Sequence, residues 1–469
     1  MSERKLVNLG DFSGGEQPDS LFVSPPAWYK LKNVWFDSRK VLRARPSALA
    51  QFGTFASIQG IGKTHNNKLL IVADNFVYED TIPISHLGDN SQITSWVSYD
   101  VSRTQTCVTA GDWVCVFNDP ENVKVLNLSD VKSIATFQGM QKLRLCFITS
   151  GDPYTLKISN IGDLEDTGTQ IIDSNNYNDE WTEGIEIYNF PFKIIDLIEY
   201  NNNILIFTAY AIYVCSFRVT EDGFIPIVDK VIDIEILDAK VKRLGGVVFF
   251  LTPQGIWQYF TQQGQSVVEP LANVGIEKQF REKIVEGEAR INLDILRGLI
   301  FLKPNNTDGI TYVYSASTKA WSEWDILIRD AQTIEGTTYI VTADDRIYYL
   351  EENDITQTKE VVIQSGLIDF GDSSLRKRLL HLKGRFHSQS DTSLYITAFA
   401  DEIPPNIFSH HTYWVDRGST LFEQYIGVEG ERISVYLAFN TKGNWYLEEL
   451  IGDIRYKSPR IGKVYIQDS

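Results

Sequence analysis

Methionine is almost missing from this chain, with 2 in 469 residues, and histidine is sparse, with 6. No two histidines form a His-Glu-x-x-His pair, so the zinc-hydrolase helix is excluded. His410-His411, beside Tyr413 and Trp414, reads as an ordinary polar turn. Four cysteines (Cys107, Cys115, Cys146 and Cys215) lie in apolar runs without metal-ligand spacing, which predicts buried, reduced thiols. The Gly-x-Ser-x-Gly elbow and the Gly-x-x-x-x-Gly-Lys-Ser/Thr loop are both absent. Asp369-Phe370-Gly371 stands without a glycine-rich loop or a His-Arg-Asp motif, so it is not a kinase element. No stretch is long enough to span a membrane, and Met1–Gly10 has no apolar signal core, so synthesis in a cytoplasm is expected. Positive charge is also short. With 44 basic against 61 acidic residues the formal charge is −17, the reverse of the footprint of a sequence-specific DNA binder. Such acidity keeps a protein soluble and suits a conduit through which a polyanion slides without adhering. Few windows show helical periodicity, and the clearest helix is expected at Val274–Val285. The expectation is a non-enzymatic chain with no cofactor and no metal.

What is present is a repeated β-hairpin. Asn201-Asn202-Asn203 leads into Ile204–Thr208, a small-residue break follows, and Ile212-Tyr213-Val214 resumes. Leu69–Val72 breaks at Asp74-Asn75 and resumes at Phe76–Tyr78. Val247–Leu251 breaks at Pro253-Gln254-Gly255 and resumes at Ile256–Tyr259. Leu299–Leu302 with Ile310–Tyr314, and Tyr339–Val341 with Ile347–Leu350, repeat the theme. Weaker copies are Trp113–Phe117 with Val123–Leu126, and Leu143–Ile148 with Tyr154–Ile158. The spacing of roughly 40–45 residues is the signature of propeller blades. The reading is all-β: a propeller of about six to seven blades over 54–355, then a β-sandwich over 356–469. The Trp-Asp dipeptide of the commonest propeller repeat is missing from these positions, as is the sialidase Asp box.

The first fifty residues do not read as a blade. A polar arm, Ser13-Gly14-Gly15-Glu16-Gln17-Pro18-Asp19-Ser20, precedes Ser24-Pro25-Pro26-Ala27-Trp28-Tyr29. Then come Asn33-Val34-Trp35-Phe36-Asp37 and Leu42-Arg43-Ala44-Arg45-Pro46. A Gly-rich arm, a Pro-led segment ending in Asn-Val-x-Phe-Asp, a turn and Leu-Arg-x-Arg-Pro resembles the start of the tubular tail, or nozzle, proteins of short-tailed phages. These are also called packaged-DNA stabilisation proteins. Ser47 stands where that family usually has Gly after Arg-Pro. Asp-Phe-Gly-Asp followed by Arg376-Lys377-Arg378 is similar to the same family, in which a sandwich commonly follows the propeller.

The resemblance implies a virion protein of the tail. It would form a ring, expected to be a hexamer, below the portal and its adaptor, and would meet tail fibre or tip proteins. It would retain packaged double-stranded DNA and then conduct it without specific binding. Trp28, Tyr29, Arg39, Arg43 and Arg45 are then candidates for an adaptor or subunit interface. The alternative for the basic residues is a turn and strand whose charges are solvated or paired, and for Trp28, Trp35 and Phe36 a role as core anchors. The interval 160–189 holds Asp163, Glu165, Asp166, Asp173, Asp179, Glu180 and Glu183, a candidate acidic lumen loop. Its Asp173–Asp179 segment is oxygen-rich but lacks the Gly and terminal Glu of an EF-hand. A rival reading is a propeller that binds carbohydrate or a receptor, with Trp414 and Trp445 stacking on sugars.

Overall fold

Asn201 and Asn202 take positive φ, 52° and 62°, which asparagine tolerates better than most side chains. They join strands Ile194–Tyr200 and Asn203–Thr208, and Ala211–Thr220 and Gly223–Asp233 complete an antiparallel sheet of four. In this computed structural model the same unit recurs around a ring. The residues described are all except 1–3, 10–14, 17–26, 40, 51–54, 75, 87–97, 102–104, 110, 120–121, 139–142, 160–169, 173–185, 221–222, 272–288, 305–308, 371–374, 404–410 and 458–469. The acidic interval and the helix expected at Val274–Val285 therefore lie outside the described residues, apart from strands Gln170–Ile172 and Glu186–Asn189.

Seven blades follow in order. Blade 1 is Ile58–Lys63, Leu69–Ala73, Phe76–Glu79 and Ile82–His86. Blade 2 is Ser98–Val101, Thr106–Thr109, Gly111–Asp119 and the first half of the long strand Asn122–Gln138. The second half opens blade 3, followed by Leu143–Thr149, Thr155–Ile158 and Glu186–Asn189. Blade 4 is the sheet built on Asn201-Asn202, and blade 5 is Lys242–Leu244, Val247–Thr252, Gly255–Gln262 and Gln265–Pro270. Blade 6 is Arg290–Asp294, Leu299–Lys303, Thr311–Ser315 and Ala320–Trp324. Blade 7 has three strands of its own, Ile328–Ile334, Thr337–Thr342 and Ile347–Glu351, and takes its fourth, Ser47–Ala50, from the start of the chain.

Each blade buries apolar side chains against the next, and the ring closes. The seams are marked in turn by Leu70 with Phe117, Val116 with Phe147, Ile148 with Ile206, Phe207 with Phe250, Leu251 with Ile300, Phe301 with Ile340, and finally Val341 with Ile71. Propellers hold together in this way, sheet face on sheet face, because each blade is apolar on both faces.

The C-terminal strands form a sandwich. One sheet runs Gly418–Gly430, Lys377–Ser388, Trp445–Tyr456, Leu42–Ala44 and Val34–Phe36, with Arg4–Asn8 also paired to Trp445–Tyr456. The facing sheet runs Lys30–Lys32, Thr358–Gln364, Ile433–Lys442, Thr392–Ala400 and His411–Val415. Trp28, Leu31, Phe386, Phe439 and Trp445 fill the space between. The second sheet is continuous with blade 6, because Lys30–Lys32 also lies beside Ala320–Trp324. The described strands of the first fifty residues are thus shared among the sandwich, its junction with blade 6, and blade 7.

Candidate interaction site at the N-terminal junction and the propeller axis

Asn33 is the pivot of the junction. It takes φ 57° between two short strands and is fully buried. Its Nδ2 donates to the Glu360 carbonyl at 2.6 Å in the sandwich. Its Oδ1 accepts from Arg45 Nε at 2.9 Å and from the Asp325 N–H at 3.0 Å, just beyond blade 6. Arg45 also pairs with Asp325 at 2.8 Å, and burial pulls its guanidinium pKa down against that pull from Asp325. Asp37 holds the next turn. Its carboxylate accepts from the N–H groups of Arg39 and Val41 and from Arg43 Nε at 2.7 Å. Burial pushes the Asp37 carboxyl up, but Arg43 and the Val41 N–H outweigh this and hold it below its usual value. Arg43 also lies over the Tyr446 ring, 5.4 Å from its centroid. The Trp324 indole and the Ser322 hydroxyl both donate to the Val34 carbonyl.

Of the five residues expected at an adaptor or subunit interface, Trp28 is core and Arg45 is buried in the junction. Arg43 is spent on Asp37 and Tyr446. Tyr29 is half-buried, and Arg39, 3.6 Å from Asp37, keeps its side chain 75% exposed. Trp445, expected as an exposed stacking aromatic, is 2% exposed and packs in the sandwich, because it falls on the inward side of its strand. Trp414 is 59% exposed. The acidic lumen candidates Asp163, Glu165, Asp166, Asp173, Asp179, Glu180 and Glu183 lie outside the described residues.

The propeller axis carries a second cluster that the sequence reading missed. The inner strands of blades 1, 3, 4 and 7 each shift register near their start, at Ile58/Gly60, Val131/Ser133, Ile194/Asp196 and Ile328/Asp330. At two of these bulges a buried aspartate clasps the next blade. Asp196 accepts from Ser133 Oγ of blade 3, from its neighbour Leu197 N–H, and from the Val241 N–H leading into blade 5. Asp330 accepts from the Ile61 N–H of blade 1, from Ala331 N–H, and from Lys242 Nζ of blade 5 at 2.9 Å. That last bond skips blade 6, so it passes through the space on the axis. Burial raises the Asp196 pKa. Burial pushes Asp330 up as well, but Lys242 and Lys240 outweigh it and hold that carboxyl low. Asp238 bridges Lys132 at 2.6 Å and also pairs with Lys193. A signal was present in the sequence: Ile194-Ile195-Asp196 and Ile328-Arg329-Asp330 repeat an Ile-x-Asp start at the head of two inner strands.

Among the described residues no three His, Cys, Asp or Glu side chains group as metal ligands, and no helix is long and apolar enough to cross a membrane. The four cysteines are buried and unpaired with one another, and burial pushes the thiols of Cys107 and Cys115 up.

No family model and no curated protein matches the chain. Among solved structures it is similar to BamB from Moraxella catarrhalis, 8% identical over 75% of this chain and 98% of that one, with a TM-score of 0.34. Hsv2 of Kluyveromyces lactis is 12% identical over 54% of this chain and 72% of its own, with a TM-score of 0.34. PorZ, a surface component of the type-IX secretion system of Porphyromonas gingivalis, is 10% identical over 81% and 46%, with a TM-score of 0.36. At these scores the likenesses carry no functional argument, and the fold assignment rests on the strand pairing above.

Proposed function

We propose that the chain is a structural subunit of the tail nozzle of a short-tailed phage. A ring of copies, expected to be six, would sit below the portal adaptor, retain packaged DNA and conduct it at ejection. One observation carries the reading. The signature residues Asn33, Asp37, Arg43 and Arg45 bond to one another, in the pairs Asn33–Arg45 and Asp37–Arg43, at the seam between a propeller and a sandwich. The motif and the domain order that the resemblance implies are therefore one structural unit rather than two coincidences. The DNA path would lie between subunits. A duplex, whose major groove alone is about 12 Å wide, does not fit an axis bridged by Lys242 and Asp330. Closed cyclic assembly needs two different patches meeting head to tail, and Arg39 belongs to the surface available for one of them.

Immunogold electron microscopy tests the reading, using antibody to the purified protein on particles from phage lysates. Label at the tails of short-tailed virions supports it, and protein found only free in cells overturns it. The exposure of Trp414 favours a second reading, a glycan- or receptor-binding propeller protein. That reading expects glycan-array binding that Trp414→Ala abolishes.

A further inference from the structure

We propose that a groove at one end of blade 4 is a docking site for an arginine side chain carried by a partner protein, formed by Phe192, Tyr210, Asp233 and Glu235. This goes beyond the nozzle reading and does not depend on it. The groove, of about 530 Å³, is lined by those four residues and Ile234. Three segments of the blade meet there. Phe192 precedes the inner strand, Tyr210 sits in the turn between the second and third strands, and residues 233–235 leave the outer strand. Backbone hydrogen bonds fasten the three together. The Ile234 and Ile236 N–H groups donate to the Tyr210 and Ala209 carbonyls at 3.0 and 2.9 Å, and the Ala209 N–H donates to the Lys193 carbonyl at 2.9 Å. On either side of Phe192, the Phe190 and Ile194 N–H groups donate to the Tyr154 and Pro153 carbonyls of blade 3 at 2.8 and 2.7 Å. The groove is therefore formed before any ligand arrives.

Its lining combines two rings with two carboxylates. The Phe192 and Tyr210 centroids are 5.3 Å apart, with the ring planes at 65°, edge to face. In that arrangement one ring turns only its edge to the other, so its own faces stay free of its neighbour. Tyr210 is 52% exposed. Asp233 and Glu235 are both exposed, on either side of Ile234, which packs against the core between blades 4 and 5. Among the described residues the Glu235 carboxylate has no ion pair, and Asp233 has Lys230, 2.9 Å away in a pair open to water on both sides. A surface pair of that kind is worth little and yields to a better partner. A guanidinium answers both halves of the lining at once, since its plane stacks on an aromatic face while its N–H fork engages a carboxylate through two bonds. An ammonium offers a point charge with neither plane nor fork. The groove is open along its side, which admits a side chain presented by a protein surface and does not enclose a free small molecule. The chain's charge of −17 draws a basic partner from a distance, and the groove sets where it docks.

The test is a saturation-transfer NMR titration of the full chain with acetylated Gly-Gly-X-Gly-Gly amides, in which X is arginine, lysine or citrulline. The arginine peptide should bind saturably and several-fold more tightly than the lysine peptide. Citrulline, the neutral isostere, should show no saturable binding. Tyr210→Ala and Glu235→Gln should each weaken the arginine peptide by about threefold or more, the effect of one exposed cation–π or ionic contact. Both side chains are exposed, so neither change disturbs the core. Glu449→Gln removes an exposed carboxylate from the sandwich and should leave the affinity unchanged, which separates the groove from general attraction to an acidic chain. Absence of saturable binding, equal binding of the lysine or citrulline peptide, or full affinity in the Tyr210 and Glu235 variants overturns the proposal. So does binding of maltohexaose that Tyr210→Ala abolishes while the arginine peptide does not bind, which would assign the rings to a glycan.

Discussion

At the scale of single residues, Asn33 does more than its size suggests. It supplies a left-handed turn that most side chains avoid, and its amide joins sandwich, arginine and blade 6 with three hydrogen bonds. Asn33→Ala leaves a buried carbonyl and a buried guanidinium short of partners, and should cost about 2–4 kcal/mol. Urea unfolding measures this, and a loss within the scatter of surface substitutions would remove Asn33 from its role. Lys359, 1% exposed at the same junction, gives a pH prediction. Burial, and then Arg45, pull its ammonium to about 8. An unfolded lysine titrates near about 10.4, so between these values the unfolded chain binds more protons than the folded one. Stability should therefore rise with pH across that window and be lowest below it. Lys240, also held at about 8, contributes with the same sign. Lys359→Met should raise Tm at pH 7 and reduce, rather than abolish, the slope seen in melts from pH 8 to 10.

At the scale of elements, the closing strand Ser47–Ala50 is the least obvious part of the design. Leu49 lies opposite Tyr349, while the Ala48 N–H and carbonyl turn away to Gln357. Leu49→Pro deletes a backbone donor facing blade 7 and distorts its fourth strand, which should cost about 3 kcal/mol or more. Limited proteolysis should then cut between blades 7 and 1 first. Cleavage no faster than in the unmutated chain would mean that the apolar seam at Val341 and Ile71 closes the ring unaided. The hairpins were legible in the sequence because strand, turn and strand follow one another directly along the chain, as at Asn201-Asn202. Even the weak copies at Trp113 and Leu143 fall in blades 2 and 3. The closing strand was not legible, because its partner lies some three hundred residues away and four residues of Ser-Ala-Leu-Ala carry no strand signal of their own. Arg45 read as a candidate docking charge for the same reason. Its partner Asp325 is 280 positions distant, and no local pattern announces a long-range pair.

At the scale of the whole molecule, Ala27–Ala50 is built into both modules, since its described strands pair with the sandwich, with blade 6 and with blade 7. The nozzle reading puts the proposed bore away from the propeller axis, and this separates two sets of variants. Under the nozzle reading, acidic residues that line an inter-subunit bore repel phosphates and let DNA slide. Asp163→Asn, Glu165→Gln and Asp166→Asn together should then slow DNA ejection while native mass spectrometry still records the ring. Lys242→Met combined with Asp330→Asn removes both charges of the axial bridge and should lower Tm, yet, if the nozzle reading holds, leave the ejection rate unchanged, because that reading routes DNA between subunits. Ejection from reconstituted particles, followed by dye entry into released DNA, reads both sets together. A slower rate in the axial pair with an unchanged rate in the acidic triple would place the DNA path along the wrong axis for a nozzle of this form. The rate in the triple alone decides whether Asp163, Glu165 and Asp166 face the bore under that reading.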